Sequence, residues 1–405
     1  MGDLRIGTAA TAPAVGTLKL GSTDISKIYS GSTLVWPISS ADPFNPINGT
    51  ATFIHANNGV ITLYDTSWNP VSPSNPFATT PNSNYVVAAS SQSYTKIILS
   101  GRIIKEAVLY STNNGQNFSA PASGSFDARA AGIFGSISGD TILAIPMSNQ
   151  PANALLISVN AGQDFNANSY YTLPSHPNTP SYSSSGNFLQ LFKAAAISSG
   201  GKYIAFYARG TDTTGNYRDY SFWSNDYGVT FNNFNYNGIY IEKVLPIISG
   251  NGRIICAMNT DDMANSLYSD DYGATWTTKD YSNIGAPSPS SARSRMSENG
   301  QYYMFAQSTP STTPTGTCIV VYGNNYAVSF DTTTPKYLTN NLCPQNVFMV
   351  SNGQFQGYID EGSSSPTYEI STNFGSTWSS TPSPGVIGSG PVSYTHLTLP
   401  TNCVV

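Results

Sequence analysis

Ser224-Asn-Asp226-Tyr-Gly228-Val-Thr-Phe231 and Ser269-Asp-Asp271-Tyr-Gly273-Ala-Thr-Trp276 are two copies of one eight-residue pattern, Ser-x-Asp/Asn-x-Gly-x-x-Trp/Phe. Three more copies share it: Ser111-Thr-Asn113-Asn-Gly115-Gln-Asn-Phe118, Ser158-Val-Asn160-Ala-Gly162-Gln-Asp-Phe165 and Ser371-Thr-Asn373-Phe-Gly375-Ser-Thr-Trp378. The residue types describe a hairpin turn. A Ser hydroxyl and an Asp or Asn side-chain oxygen can hydrogen-bond to nearby backbone and close the turn locally. Glycine supplies a positive φ at no steric cost. The closing aromatic side chain packs beneath the turn. In this reading Asp226 and Asp271 are structural acceptors and poor catalytic candidates.

Each octet follows a short apolar or aromatic run: AVLY, ALLI, YSFW, SLY and TYEI. Upstream lies a Ser/Gly/Asn turn leading into another strand, as in SGDTILAIP (138–146), SGGKYIAFY (199–207), GNGRIICAM (250–258), ENGQYYMFA (298–306) and SNGQFQGYI (351–359). A third run precedes that turn, for example FKAAAI or KVLPII. With the strand after the octet, each unit holds four strands, which is one propeller blade. The octets begin at intervals of 47, 66, 45 and 102 residues. The last interval is two units, and Gly323-Asn324-Asn325 stands where the missing octet is expected. The fold class is therefore all-β, a β-propeller of four-stranded blades. Six blades are recognisable, and the hairpin at 51–65 suggests a seventh, completed by strands beyond this chain in a ring left incompletely closed here.

Composition narrows the function. Of the 405 residues only 10% are charged, and the net charge is −5, against about a quarter charged in an average soluble protein. No basic stripe is present to displace counterions from phosphates, so nucleic acid is not an expected partner. No run of about 18 apolar residues occurs, so no membrane insertion is expected. MGDLRIGTAATAP lacks the basic and apolar regions of a signal peptide. Cys256, Cys318, Cys343 and Cys403 match no zinc spacing, and neither a metal nor a cofactor is expected. Cys256, in the run IICAM, reads as a small buried hydrophobe.

The octets resemble the Asp box of BNR-repeat propellers, the family that includes sialidases. That resemblance implies a substrate site with three arginines, a Tyr nucleophile assisted by Glu, an Asp acid/base and an Arg-Ile-Pro motif. This chain has Arg102-Ile103-Ile104 instead, without the proline. Its few glutamates, Glu106, Glu242, Glu298, Glu361 and Glu369, form no evident pair, although carboxylates can pair in space rather than in sequence. The residues favour binding over catalysis. A sialidase-type glycoside hydrolase and an assembly-factor propeller resembling those that help build photosystem II stand as alternatives.

Residues 1–37 form a small β docking module of short strands (LKL, ISKIY, TLVW), followed by a linker at 38–50 and the propeller at 51–391. LKLGSTDISKIYSGSTLVWP resembles a segment at the ends of bacteriophage tail and appendage proteins, and this implies a virion location and a virion partner for residues 1–37. Packing of the module on the propeller is the other reading, and an extracellular location the other placement. At 392–401, VSYTHLTLPT resembles a translated sequencing adapter, so residues 392–405 are read as an artefact.

In an antiparallel blade the first and third turns share one face, and the second turn and the inter-blade link share the other. The octets occupy the third turn. The extra length of the 66-residue unit falls in the link at 166–187 and the second turn at 210–219, both on the opposite face. These segments, with Arg209 directly before the second, carry Tyr170, Tyr171, His176, Tyr182, Arg209, Asp212 and Arg218. Aromatic and planar polar groups on loops suit sugar stacking and hydrogen bonding. They are the candidate contacts to a host-surface glycan or protein.

Overall fold

The computed structural model describes short strands within residues 18–36, the hairpin at 53–64 and most of 85–382. The longer stretches outside it are 65–84, 146–154, 169–190, 212–216, 309–317, 331–335, 339–346, 361–366 and everything after 382. The chain forms two compact units, Met1–Asn45 and Pro46–Val405. In the first, Leu18–Leu20 pairs with Thr23–Ile25 and Ile28–Ser30 with Thr33–Trp36, both antiparallel. The run ISKIY is thus divided between two hairpins instead of forming the single strand expected.

The second unit is a β-propeller. Consecutive antiparallel meanders follow one another along the chain. Blade 1 comprises Tyr85–Ser90, Ile97–Gly101 and Leu109–Ser111, with a bridge from Tyr110 to Ser119 in the place of a fourth strand. Blade 2 begins at Ile133–Gly135 and blade 3 at Leu191–Ile197. Blades 4, 5 and 6 begin at Val244–Ile248, Ser288–Met296 and Val347–Met349. Blades 2 to 6 each have four strands in sequence order. The first strands of consecutive blades lie against one another around the axis. Strands Phe53–Asn57 and Val60–Tyr64 pair as the expected hairpin.

Alternation along each strand explains why the strands read as continuous apolar runs. In blade 4, Ile255 and Ala257 point toward blade 3, and Cys256 and Met258 toward blade 5. In blade 3, Ile204, Phe206 and Ala208 face blade 2, while Ala205 and Tyr207 face blade 4. Side chains two apart share a face of the sheet, and both faces of an inner blade are covered by neighbours. All five residues of Val244–Ile248 are buried. The core is thus a series of apolar layers, each shared by two consecutive blades.

The octets form the turns their composition demands. The Gly228 N–H donates to Ser224 Oγ at 2.9 Å, Ser224 Oγ donates to Asp226 Oδ1 at 2.7 Å, and the Thr230 N–H donates to the same oxygen at 2.9 Å. The same bonds recur around Ser111, Ser158, Ser269 and Ser371. The glycine has a second role that its sequence context does not reveal. A Cβ on Gly228 would meet Ile157 of blade 2, one on Gly273 the Trp223 ring of blade 3, and one on Gly375 the Tyr322 ring of blade 5. In each case the residue met precedes the octet of the blade before. The closing aromatic completes the seam: Trp276 meets Trp223 and Phe234 of blade 3 edge-on, with centroids 5.4 and 5.5 Å apart.

The degenerate octet of blade 5 takes the same path, with Tyr326 and Ala327 at positive φ. Gly323 stands in the place of the serine, and the Tyr303 hydroxyl fills the space, donating to the Ser329 carbonyl at 3.0 Å. Restoring the motif should therefore be harmful. Gly323→Ser is expected to lower stability by about 1–3 kcal/mol through overpacking against Tyr303, and Tyr303→Phe in the same chain should recover part of the loss. Gly273→Ala, strained at φ 83° and pressed on Trp223, should cost about 2 kcal/mol or more. Urea unfolding midpoints measure both.

Candidate functional site

The face opposite the octets carries a polar network at the junction of blades 3 and 4. Its base is the hairpin of Ile204–Thr211 and Tyr217–Ser224, which puts Arg209 directly across from Asp219. Strand alternation places Tyr207 and Arg209 on the same side, toward blade 4. Arg209 grips the carboxylate with both arms: Nε to Oδ1 at 2.9 Å and Nη2 to Oδ2 at 3.1 Å. The Tyr207 hydroxyl donates to Oδ1 at 2.9 Å. From the start of blade 4, Lys243 Nζ lies 3.9 Å from Asp219 Oδ2 and 2.9 Å from Asp261 Oδ1. One residue pair away, the Ser221 hydroxyl donates to the Glu242 carbonyl at 2.6 Å and accepts from the Val244 N–H. Two blades are thereby pinned together at this edge.

Asp219 is the centre of the network. Its side chain is only 10% exposed. Burial alone would raise its carboxyl. Hydrogen bonds from Arg209 and Tyr207, with the charges of Arg209 and Lys243, outweigh burial and hold it below the ordinary carboxylate range. Burial, together with the bond to Asp219, pushes the Tyr207 phenol well above its usual value. Neither group is poised to exchange a proton near neutral pH. Asp219 acts as an anchor for a cation and a phenol.

The sequence-derived candidates divide. Tyr170, Tyr171, His176, Tyr182 and Asp212 lie outside the described residues, as does Arg102-Ile103-Ile104. Arg218 is expected on a turn spanning 210–219 and Arg209 directly before it. The strands instead run to Thr211 and resume at Tyr217, so the turn shrinks to 212–216 and both arginines stand on its supporting strands. Arg218 is opposite Gly210. Arg209 is an internal partner of Asp219 before it is a ligand contact. Tyr207, Asp219, Lys243 and Asp261 are missed by sequence reasoning. The one usable signal is that Arg209 and Asp219 face each other once the hairpin register is known.

The other titratable candidates are structural. Asp226 is tied to Ser224 and Thr230; burial acts against its charge, but the hydrogen bonds prevail and hold its carboxyl low. Asp271 is held low chiefly by Thr275. Burial pushes the Cys256 thiol up to about 12, and its contact is the Tyr281 hydroxyl at 3.5 Å. Among the described residues no three His, Cys, Asp or Glu side chains gather as a metal site would require. On the octet side, the first turns are stitched across the blades: the Ser138 N–H donates to Ser199, Ser199 to Gly250, and Gly250 to Ser297. The Ser199 hydroxyl reaches Glu298.

No protein-family model and no curated protein matches the sequence. Solved structures with a similar fold include an ancestral GH74 enzyme, 12% identical with a TM-score of 0.46 over 86% of this chain and 50% of that one. The chain thus spans half the length of that enzyme. YCF48 from Cyanidioschyzon merolae is 14% identical, with a TM-score of 0.36 over 74% and 85% of the two chains. The GH74 enzyme of Niastella koreensis is also 14% identical, with a TM-score of 0.30 over 85% and 68%.

Removal of the anchor should be felt as stability. Asp219→Asn is expected to cost about 2 kcal/mol, since it leaves Arg209 and Lys243 without their shared anion. Because the folded-state carboxyl is depressed, its contribution is complete above the unfolded value near ~4 and disappears as pH falls through the folded one. Wild-type and Asp219→Asn melting temperatures should therefore differ at pH 7 and converge toward pH 2. A difference that persists at pH 2 would contradict this assignment. The likeness to the GH74 and YCF48 structures is one of propeller architecture, which the sheets of this chain show by themselves.

Proposed function

We propose that the chain is a non-catalytic binding propeller of a virion tail or appendage, which meets a host-surface glycan or protein with the face opposite its octets. The observation that carries this reading is the Tyr207–Arg209–Asp219–Lys243 network. It braces the strands that carry the 212–216 turn and joins them to blade 4. A binding loop gains affinity when its supporting scaffold is rigid, because less ordering is left to be paid on association. The charged groups of the network satisfy one another, and Asp219 at its centre is held as an anchor and not poised for acid–base work, which supports binding over catalysis. The octets are read as Asp boxes on the recurrence of their Ser, Asp/Asn and Gly bonds. Residues 1–37 supply the attachment to a virion partner in this proposal.

The test is attachment. Tyr171→Ala and Arg218→Ala should each weaken binding of the labelled full chain to host cells and to a glycan array by on the order of tenfold, the range of an interface hot spot. Melting temperatures should stay unchanged. Undiminished attachment in both variants would overturn the placement of the ligand face. Turnover of fluorogenic aryl glycosides, lost on substitution of a carboxylate on that face, would overturn the non-catalytic reading.

A further inference from the structure

Seven Asn-Gly pairs stand in this chain. The pair is chemically special. With no Cβ on the second residue, little hinders its backbone nitrogen from reaching the asparagine Cγ. Closing that five-membered ring expels the side-chain amide as ammonia. Whether this happens in a folded chain depends on how freely nitrogen and carboxamide can turn toward each other. The pairs at Asn48, Asn58 and Asn114 lie outside the described residues, and the fold divides the other four.

Three of the four belong to first turns, where the carboxamide is held. Asn251 Oδ1 accepts from Ser249 Oγ and from the Arg253 N–H, both at 2.9 Å. Asn299 Oδ1 accepts from Ser297 Oγ and from the Gln301 N–H, also at 2.9 Å. Asn352 Oδ1 accepts from the Gln354 N–H at 2.8 Å. In two of these turns the attacking nitrogen is held as well. The Gly252 N–H donates to the Ser249 carbonyl at 2.8 Å, and the Gly300 N–H to the Ser297 carbonyl at 3.0 Å. The turns are also tied to each other, since the Gly250 and Asn251 N–H groups donate to the carbonyls of Ser297 and Glu298.

Asn237 is placed differently. It is exposed, and its side chain makes no hydrogen bond among the described residues. With Gly238 it makes up the two-residue loop between Asn235–Tyr236 and Ile239–Tyr240, where Tyr236 pairs with Ile239. Its φ is 51°, the left-handed backbone that such a loop demands and that asparagine tolerates. Each strand of this ladder has two residues, and the pair is a sheet separate from those of the blades. A hairpin of that size is marginal in water, so its loop opens easily.

We infer that Asn237 is a self-modifying site, which converts to aspartate and isoaspartate while the chain is folded and the first-turn pairs stay intact. The Gly238 nitrogen gives its proton to solvent and bonds to Asn237 Cγ. The Cγ–Nδ2 bond breaks, and ammonia leaves with a proton taken from water. Water then opens the cyclic imide. Opening at Cγ gives aspartate, and opening at the backbone carbonyl gives isoaspartate, with the main chain rerouted through Cβ. The net change is hydrolysis of one amide, with no oxidant or reductant. The loop lies in the link between the last strand of blade 3 and the first of blade 4, shortly before Lys243. Conversion therefore sets a new carboxylate on that link. The isoaspartate also adds a backbone atom to a loop whose length is matched to a tight turn.

Peptide mapping by mass spectrometry tests this on the full chain, aged folded in mildly alkaline buffer and, in parallel, unfolded in urea. In the folded chain, conversion at Asn237, located by fragment ions, should outpace Asn251 and Asn299 by at least roughly tenfold, because their held groups must first be released. In urea the three sites should convert at similar rates, since each is followed by glycine and no turn persists. Two results would overturn the inference. One is an Asn237 that converts no faster than Asn251 or Asn299 in the folded chain. The other is the same lead of Asn237 in urea, which would trace its rate to neighbouring side chains instead of the fold.

Discussion

The hydrogen bond from the octet glycine N–H to the serine hydroxyl four residues earlier is the constraint on which five of the six blades are built. It fixes the third turn of a blade so that its glycine faces outward from its own sheet, with no side chain. The next layer of structure uses that bare surface. Ile157, Trp223 and Tyr322 lie where a Cβ would otherwise be, each from the preceding blade. A local turn motif is thereby also the seat of long-range packing. The closing aromatic, as with Trp276 against Trp223 and Phe234, seals the same seam one step deeper.

Blade 5 shows how much of this arrangement is interchangeable. It lacks the serine and the glycine, yet keeps the turn. The Tyr303 hydroxyl occupies the volume of the missing side chain, and Ala327 accepts positive φ. The Tyr281 hydroxyl then bonds the Ala327 carbonyl at 2.8 Å from within the layer shared by blades 4 and 5. What is preserved is the path of the backbone and the filling of the seam. The identity of the group that fills it is secondary.

The two faces of the propeller differ in chemistry because different turns reach them. One face receives the octets and the first turns, which are stitched together by backbone bonds and topped by exposed aromatic and valine side chains. The other receives the second turns and links, whose base at blades 3 and 4 is an ion-pair network. Rigid support beneath loops is the usual arrangement of a binding face.

The octets, the runs before them and the turns upstream were sufficient to define the blades, since strand period, turn chemistry and repeat length are all local properties of the chain. Their register and spacing led to six units and a propeller without reference to any contact. The Arg209–Asp219 pair was not legible, because it depends on hairpin register, and the strands ran further than the turn-like composition of 210–219 suggested. Lys243 and Asp261 were less legible still, since they come from the next blade. The second role of the octet glycines and the exposure of Val159, Val229 and Val328 were also decided only by tertiary structure. Local sequence sets which turn forms. Which surfaces that turn then meets depends on the rotation from one blade to the next, and no single repeat encodes it.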